Sequence, residues 1–298
     1  CYIGSIDEDC IFSTNNEEDL IYPRSSIKIF QGLPFSTSTA IKQYKLNKKQ
    51  IALSCSSHCG EEFHIKELNS WLQKINLKTS DLKCGIHNPL DKQSSEKLFL
   101  SGKKPNQIYN NCAGKHLAML TSCIVNEFPI NNYVDFNHPH QKNIRKIFSK
   151  FTENTISKKN YGIDGCSAPQ YAFTIKNIGK ALSNLLKSYN EAFEYSENVK
   201  YIIEAILANP KFIGGSKNLD SNLIKISNQS IFCKGGAEGV FLFIHLKKKI
   251  FGVFKVKDGN ERALPSAVYS ILKKFNILIK DKLKEFNSWN KINLYNHA

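Results

Sequence analysis

The fold is decided by residues 239–256, which have the sequence GVFLFIHLKKKIFGVFKV. Two runs of mainly aromatic and β-branched residues, 239–245 and 250–256, lie on either side of three consecutive lysines. Such residues favour strands, and a short polar connection between two such runs is typical of a hairpin. We therefore predict two antiparallel strands late in the chain.

The rest of the pattern places further strands at the start of the sequence and helices between the two ends. Residues 2–6 and 10–13 predict an N-terminal hairpin, and helices are predicted at 25–35, 65–75, 115–125, 175–189, 201–208 and 263–275. Strands and helices do not alternate, which argues against a parallel sheet. The prediction is an α+β fold in which N- and C-terminal strands share one antiparallel sheet and a helical region is inserted between them.

Length and composition restrict the possible classes of protein. The 298 residues suit a single domain over residues 1–298, and the polar tail after about residue 281 is predicted to be peripheral. We expect a few natural residues to precede Cys1. No apolar run approaches the roughly 20 residues of a membrane span, and no signal-like segment opens the sequence. The nine cysteines, an odd number, indicate free thiols and a cytoplasmic location.

The net charge of +15 comes from lysine. Only Arg24, Arg145 and Arg262 are arginines, so 41 − 3 = 38 cations are lysines, and these are dispersed rather than gathered in an aromatic-rich stripe. Nucleic-acid binding is therefore not expected, although a basic nucleic-acid-binding or metal-binding protein stays an alternative. Because arginine is scarce, Arg24 and Arg262 are candidates for bidentate contacts with a carboxylate.

Ser25 and Lys28 have the spacing Ser-x-x-Lys at a predicted helix start. Residues three apart share one face of a helix, so the lysine amine can approach the serine hydroxyl. Serine needs an adjacent base to become a nucleophile, and a lysine shielded from water can provide it. In a lysine-rich chain the spacing alone is weak evidence.

Two other regions concentrate chemically active side chains. Residues 54–64, SCSSHCGEEFH, follow an apolar run at 51–53 that is interpreted as a strand. Residues 110–116, NNCAGKH, bring Cys112 and His116 to the same helix face, and a Gly- and Pro-rich turn at 162–169 carries Cys166. A metal site and ordinary buried thiols are both compatible with these cysteines.

Taken together, the motifs resemble the asparaginase II family, the rhizobial-type L-asparaginases. The resemblance runs in order from about residue 4 to about residue 275, and it rests on residues 22–28 with Gln31, 57–61 with His64, 84–89, 111–116, 164–169, 236–239 and 255–263. It implies a fold similar to serine β-lactamases and bacterial glutaminases, and hydrolysis of L-asparagine to aspartate and ammonia by a homodimer.

The resemblance also implies roles for individual residues. Ser25 pairs with Lys28, and Ser57 with Lys255, as two Ser–Lys pairs; which serine carries the acyl group stays open. Zinc is expected, and the ligands that the family pattern implies are Cys112, Lys115 and Cys166. The candidates for substrate contacts are Arg24, His58, Glu61, His116, Asp164 and Arg262.

A β-lactamase-like enzyme or an esterase on the same fold is the nearest alternative. Penicillin-recognising enzymes have a Lys-Thr-Gly triplet on a late strand. The predicted strand at 250–256 ends in Phe254-Lys255-Val256 and has no such triplet, which favours the asparaginase interpretation.

Overall fold

A five-stranded antiparallel sheet joins the two ends of the chain. The computed structural model describes residues 1–287, and the strand order in this sheet is β2-β1-β9-β8-β7. The strands are β1 Tyr2–Ser5, β2 Cys10–Ser13, β7 Ile231–Gly236, β8 Val240–His245 and β9 Ile250–Lys255. Strand β1 pairs with both β2 and β9, and β8 pairs with β9. The two predicted hairpins, their shared sheet and the α+β class are therefore confirmed.

Helices form most of the chain between these strands. They are α1 Lys28–Ser36, α2 Ala40–Gln43, α3 Lys48–Ser54, α4 Glu62–Lys74, α5 Lys92–Leu100, α6 Ala113–Val125, α7 Pro139–Thr152, α8 Ile175–Asn190, α9 Ser196–Ala208, α10 Leu219–Ile226, α11 Leu264–Lys274 and α12 Lys280–Phe286. Two small sheets pair β3 Leu20–Ile21 with β6 Phe173–Thr174, and β4 Tyr161–Ile163 with β5 Pro169–Tyr171. Within residues 1–287, no helix is long and apolar enough to cross a membrane.

Helix α1 is the centre of the helical layer. All of its residues are buried, as expected for a helix without a polar face, and it contacts α6, α7 and α9. Lys28 is its first residue. The packing of α1 therefore carries a lysine amine into the protein interior, where a charged group loses its hydration.

Helix α8 covers strands β1 and β9. A side chain at Gly179 would place its Cβ 2.5 Å from the Tyr2 ring, so this position has to be glycine for helix and sheet to meet at this distance. At the C-terminal end, α12 buries Phe286. This helix covers the start of the tail that was predicted to be peripheral after about residue 281. The rest of that tail, residues 288–298, lies outside the described residues.

Several elements differ from the sequence interpretation. Residues 51–53 belong to helix α3, not to a strand, because Asn47 and Gln50 form a capping box at its N-terminus. A short apolar run is compatible with a strand or with a helix. Here the capping box at Asn47 favours the helix. Strands β3 to β7 and helices α2, α5, α7, α10 and α12 were not predicted. Strand β7 combines a lysine with two glycines at its end, which weakens the strand signal.

His140 predicts a pH dependence of folding stability. Its ring is buried without a hydrogen-bond partner among the described residues, and burial, followed by the effect of His138, lowers its pKa to about 3. An unfolded histidine has a pKa of about 6.5, so between these values the unfolded chain binds a proton that the folded chain does not. The contribution of His140 to the free energy of unfolding is therefore fully present above pH 6.5 and is lost as the pH falls toward 3.

The variant His140→Gln should weaken this dependence. We expect the loss of unfolding free energy between pH 7 and pH 5 to shrink by up to about 2 kcal/mol, as measured by urea unfolding of both proteins at both pH values. An unchanged difference between the two pH values would contradict the assignment.

Candidate active site

Ser25 lies in a 3-10 turn, Arg24–Ile27, that leads directly into α1. Strand β7 passes so close to this turn that a Cβ at Gly236 would lie 2.6 Å from the carbonyl oxygen of Pro23. Only glycine allows this approach. The end of β7 therefore forms one wall of the pocket into which Ser25 faces.

The buried amine of Lys28 binds Ser57. Lys28 Nζ is 3.0 Å from Ser57 Oγ and 3.2 Å from Cys112 Sγ, and it also donates to the Ser56 carbonyl oxygen. Burial lowers the pKa of Lys28, which favours the neutral amine that a general base requires. Among the described residues, the hydroxyl group to which Lys28 is hydrogen-bonded is thus that of Ser57, while Ser25 stands three residues before Lys28 in the chain.

A cluster of thiols and charges lies behind Lys28. Cys112 and Lys115 come from the start of α6, and Asp164 and Cys166 from the turn between β4 and β5. Lys115 Nζ is 3.1 Å from Cys166 Sγ and 4.0 Å from Asp164 Oδ2. The structure therefore brings the predicted metal residues together, although 51 positions separate Lys115 from Cys166.

The protonation states within this cluster are coupled. A hydrogen bond from Cys112, together with the charge of Lys115, lowers the pKa of Cys166 to about 5, and the same hydrogen bond and burial raise the pKa of Cys112 to about 12. Burial alone would lower the pKa of Lys115, but Cys166, Cys112 and Asp164 raise it. The hydrogen bond from Cys112 and the contact with Lys115 thus favour the thiolate form of Cys166.

The donor atoms of this cluster fit a zinc ion. The ligand atoms of Cys112, Asp164 and Cys166 all lie within 4.8 Å of one another. Thiolate sulfur at about 2.3 Å and carboxylate oxygen at about 2.0–2.2 Å are ordinary zinc ligands. Small shifts of these side chains would therefore bring all three ligand atoms to bonding distance from one ion. Lys115 could join it only as a neutral amine, and a metal can drive that deprotonation.

The pocket in front of Ser25 has a volume of about 370 Å³ and charges of both signs. Its lining includes the hydroxyl residues Ser25 and Ser57 and four ionisable residues. These are Lys217, Asp220, Lys234 and Glu261. A small zwitterion carries one positive and one negative group, and a cavity with both kinds of partner can hold it in one orientation.

Lys234 is the functional candidate that the sequence interpretation missed. It is 2% exposed on strand β7, and its Nζ is 3.2 Å from Asp220 Oδ2. Asp220 also accepts from the Gly235 N–H at 3.0 Å. The available signal was Lys234-Gly235-Gly236, and it was missed because residues 231–236 were not recognised as a strand.

Lys255 does not reach the predicted partner. It ends β9, which is separated from β7 by β8, and its Nζ donates to the carbonyl oxygens of Glu238 and Val256. Lys255 is not among the residues that line the pocket. The geometry thus places Lys234, rather than Lys255, beside Ser25 and Ser57.

The two candidate arginines have protein partners. Arg24 donates to Asp164 Oδ1 through Nε at 2.9 Å and through a terminal nitrogen at 2.8 Å, and it also binds Glu238. With Lys115, it lowers the pKa of Asp164 although burial would raise it. Arg262 is exposed, 3.4 Å from Asp258. Neither lines the pocket.

The remaining predicted substrate residues lie around the site rather than in its lining. His58 is buried and both of its ring nitrogens lack partners among the described residues. His116 Nδ1 lies 2.7 Å from the Tyr133 hydroxyl. The carboxylate of Glu61 accepts two hydrogen bonds from Ser216, each 2.7 Å long.

The chain matches a protein-family model. The family model described as L-asparaginase II matches residues 3–298, which is nearly the whole chain. No curated protein matches the sequence.

Proposed function

Because the chain belongs to the L-asparaginase II family, and is on that ground an amidohydrolase, we propose that it hydrolyses the side-chain amide of L-asparagine to aspartate and ammonia through a serine ester. One observation carries the proposal. A buried lysine of lowered pKa, Lys28, is hydrogen-bonded to Ser57 at the floor of a pocket that also contains Ser25. This arrangement provides a base, a proton relay and a nucleophile for acyl transfer.

In this proposal Ser25 is the nucleophile. Lys28 accepts the Ser25 proton as Oγ bonds to the amide carbon, and the carbonyl oxygen becomes an oxyanion. The proton then passes through Ser57 to the amide nitrogen, the C–N bond breaks and ammonia leaves. Water next attacks the ester carbon, gives a proton to Lys28 and releases aspartate as Ser25 regains its proton. Backbone N–H groups at Ser25 and at the end of β7 are proposed to stabilise the oxyanion.

The pocket charges are proposed to orient the substrate. Asp220 and Glu261 face the α-ammonium group, and Lys217 and Lys234 face the α-carboxylate. Arg24 and Glu61 already bind other residues of the protein, so they are not proposed to contact the substrate. Arg24 instead holds Asp164 against the thiol cluster. His58 and His116 are proposed to shape the region behind Ser57 and the thiol cluster as neutral side chains, because burial lowers the pKa of both.

Substitution of the two lysines separates the competing assignments. Lys234→Ala should lower kcat/KM by about 10²- to 10³-fold, because a charged group in contact with substrate is worth several kcal/mol in a water-poor site. Lys255→Ala should change kcat/KM by less than a few-fold. Steady-state kinetics of both variants test this, and the opposite ranking would restore Lys255 as the partner of Ser57.

Zinc is proposed at Cys112, Asp164 and Cys166, with Lys115 as a further ligand. When bound, zinc would supply Lewis-acid chemistry. The residues themselves hold the charges in place, since Arg24 fixes Asp164 and Lys115 pairs with Cys166. A serine β-lactamase-like fold over one domain and a homodimer are further proposals that follow from the family resemblance. A cytoplasmic location is proposed from the odd number of cysteines, which indicates free thiols.

One observation favours a second activity on β-lactams. The triplet beside the nucleophile lies on β7, not β9, and reads Lys234-Gly235-Gly236. Its first and last residues match the Lys-Thr-Gly pattern, but Gly235 lacks the hydroxyl. Weak reactivity with β-lactams is therefore the alternative activity. The absence of a hydroxyl at position 235 favours a linear amide over a β-lactam as the substrate.

The test is ammonia release from L-asparagine and L-glutamine, together with cleavage of a chromogenic β-lactam, with zinc added or chelated. We expect the highest kcat/KM with L-asparagine. No ammonia from either amide under any metal condition would contradict the proposal, and a β-lactam preference would move the chain to the alternative activity.

A further inference from the structure

A second group of metal-binding side chains lies outside the pocket. It consists of Cys59, Glu61 and His64, at the start of helix α4. One ligand atom from each lies within 4.8 Å of the others, and Cys59 Sγ is 3.1 Å from Glu61 Oε1. None of the three lines the pocket that contains Ser25, so the proposed amide hydrolysis leaves this cluster unexplained.

His64 is oriented as a ligand. Its side chain is buried, and Nε2 lies 3.1 Å from the carbonyl oxygen of Lys211. A carbonyl can only accept a hydrogen bond, so the proton of the neutral ring is on Nε2 and Nδ1 carries a lone pair. That Nδ1 has no partner among the described residues. A histidine that donates one ring N–H to a backbone carbonyl is typical of metal sites, where the other nitrogen binds the ion.

Glu61 is held in place by the loop that precedes α10. Its two carboxylate oxygens accept hydrogen bonds of 2.7 Å from the backbone N–H and the hydroxyl of Ser216. A carboxylate can accept about four hydrogen bonds, which leaves capacity toward Cys59. The neighbouring Gly215 has φ +137°, and a Cβ there would lie 2.3 Å from Cys59 Sγ. The loop therefore packs its bare backbone against the cluster.

We propose that Cys59 Sγ, a Glu61 carboxylate oxygen and His64 Nδ1 bind a divalent transition metal ion of the zinc class, with water as the fourth ligand. One thiolate, one carboxylate and one imidazole are all established zinc ligands. The thiol proton that Cys59 now donates to Glu61 passes to solvent when the metal binds. This site is separate from the cluster of Cys112, Asp164 and Cys166.

The position of the site indicates that the metal would stabilise a wall of the pocket and take no part in the reaction itself. Ser216 is followed by Lys217 and Asn218, which line the pocket. A metal bound to Glu61 would fix the carboxylate that holds Ser216 and would thus stiffen this wall of the pocket. The substrate does not touch the ion in this arrangement.

The test uses Co²⁺ as a spectroscopic probe of the metal-free protein. In a Cys112→Ser/Cys166→Ser variant, which removes the thiols of the other cluster, we expect one equivalent of Co²⁺ with a single thiolate-to-metal charge-transfer band. Adding Cys59→Ser should abolish that band and weaken binding by at least about 100-fold. Ser216→Ala should keep the band and weaken binding by about 10- to 100-fold, the usual effect of losing an outer-shell partner. The exposed Cys10 provides a control, since Cys10→Ser should change nothing.

Metal stoichiometry of the otherwise unaltered protein gives a second measurement if the double variant does not fold. Native mass spectrometry should show one Zn²⁺ fewer in Cys59→Ser than in the unaltered protein. Equal stoichiometry, or a Co²⁺ band that survives Cys59→Ser, would overturn the proposal. Neither readout requires turnover, so failure of this site and failure of the proposed hydrolysis are distinguishable.

Discussion

Ser25→Ala is expected to abolish ammonia release from L-asparagine, with a loss in kcat of about 10⁴- to 10⁶-fold, as for other serine nucleophiles. The hydroxyl oxygen forms the bond to the amide carbon in the proposed mechanism, and alanine has no atom that can replace it. Ser25 is only partly buried at the pocket wall, so its removal should leave the fold intact. The measurement is steady-state ammonia release, with circular dichroism and thermal unfolding as checks of folding.

The adjacent serine provides the matched control. The hydroxyl of Ser26 donates to the Pro23 carbonyl oxygen at 2.6 Å and is buried. Ser26→Ala should therefore lower the free energy of unfolding by about 1 kcal/mol and change turnover by less than about ten-fold. If Ser25→Ala kept near-normal turnover while Ser26→Ala lost it, the nucleophile would have been assigned to the wrong residue.

Lys28→Met is expected to lower kcat/KM by about 10²- to 10⁴-fold, the usual contribution of a general base. Methionine approximates the length of the lysine stem and suits the buried position, but it cannot accept the serine proton. Since burial lowers the pKa of Lys28, the activity of the unaltered enzyme should rise with pH as this amine loses its proton. The variant should lack that rise.

The pH profile separates catalysis from structure. The exposed Lys42 serves as the control, since Lys42→Met changes the same residue type outside the site. A Lys28→Met protein that kept the pH profile of the unaltered enzyme, at whatever rate, would exclude Lys28 as the base.

Strand and helix content could largely be predicted from the sequence, because the strongest patterns lie in the elements that bury one face. The run at 250–256 corresponds to β9 Ile250–Lys255, and the run at 175–189 to α8 Ile175–Asn190. Strand β7 was missed for a physical reason: its residues Lys234, Gly235 and Gly236 serve the pocket rather than the core. A lysine and two glycines are poor strand formers, so local propensity conflicts with function at this strand.

The site itself could be predicted only in part. The Ser-x-x-Lys spacing and the two Cys-containing segments indicated the right regions, because each is local in sequence. The pairing of Lys28 with Ser57 depends on how α1 packs against the loop before α4 and is invisible to local pattern. The same holds for Arg24 and Asp164, whose contact spans 140 positions.

The assignment of the second lysine shows the limit of sequence reasoning most clearly. Lys255 and Lys234 both occur near glycines on strands of the same sheet. Only the strand order shows that β7, and not β9, lies at the edge beside Ser25. Contact across a sheet depends on topology, and a single sequence does not contain that information directly.

The central claim is that Ser25 carries the acyl group, and trapping that group tests it most directly. The purified enzyme is mixed with L-asparagine, quenched in acid within milliseconds, and examined by intact-protein and peptide mass spectrometry. We predict an aspartyl adduct on the peptide that contains Ser25, absent in Ser25→Ala. An adduct on Ser57 instead, or turnover that persists in Ser25→Ala, would contradict this account.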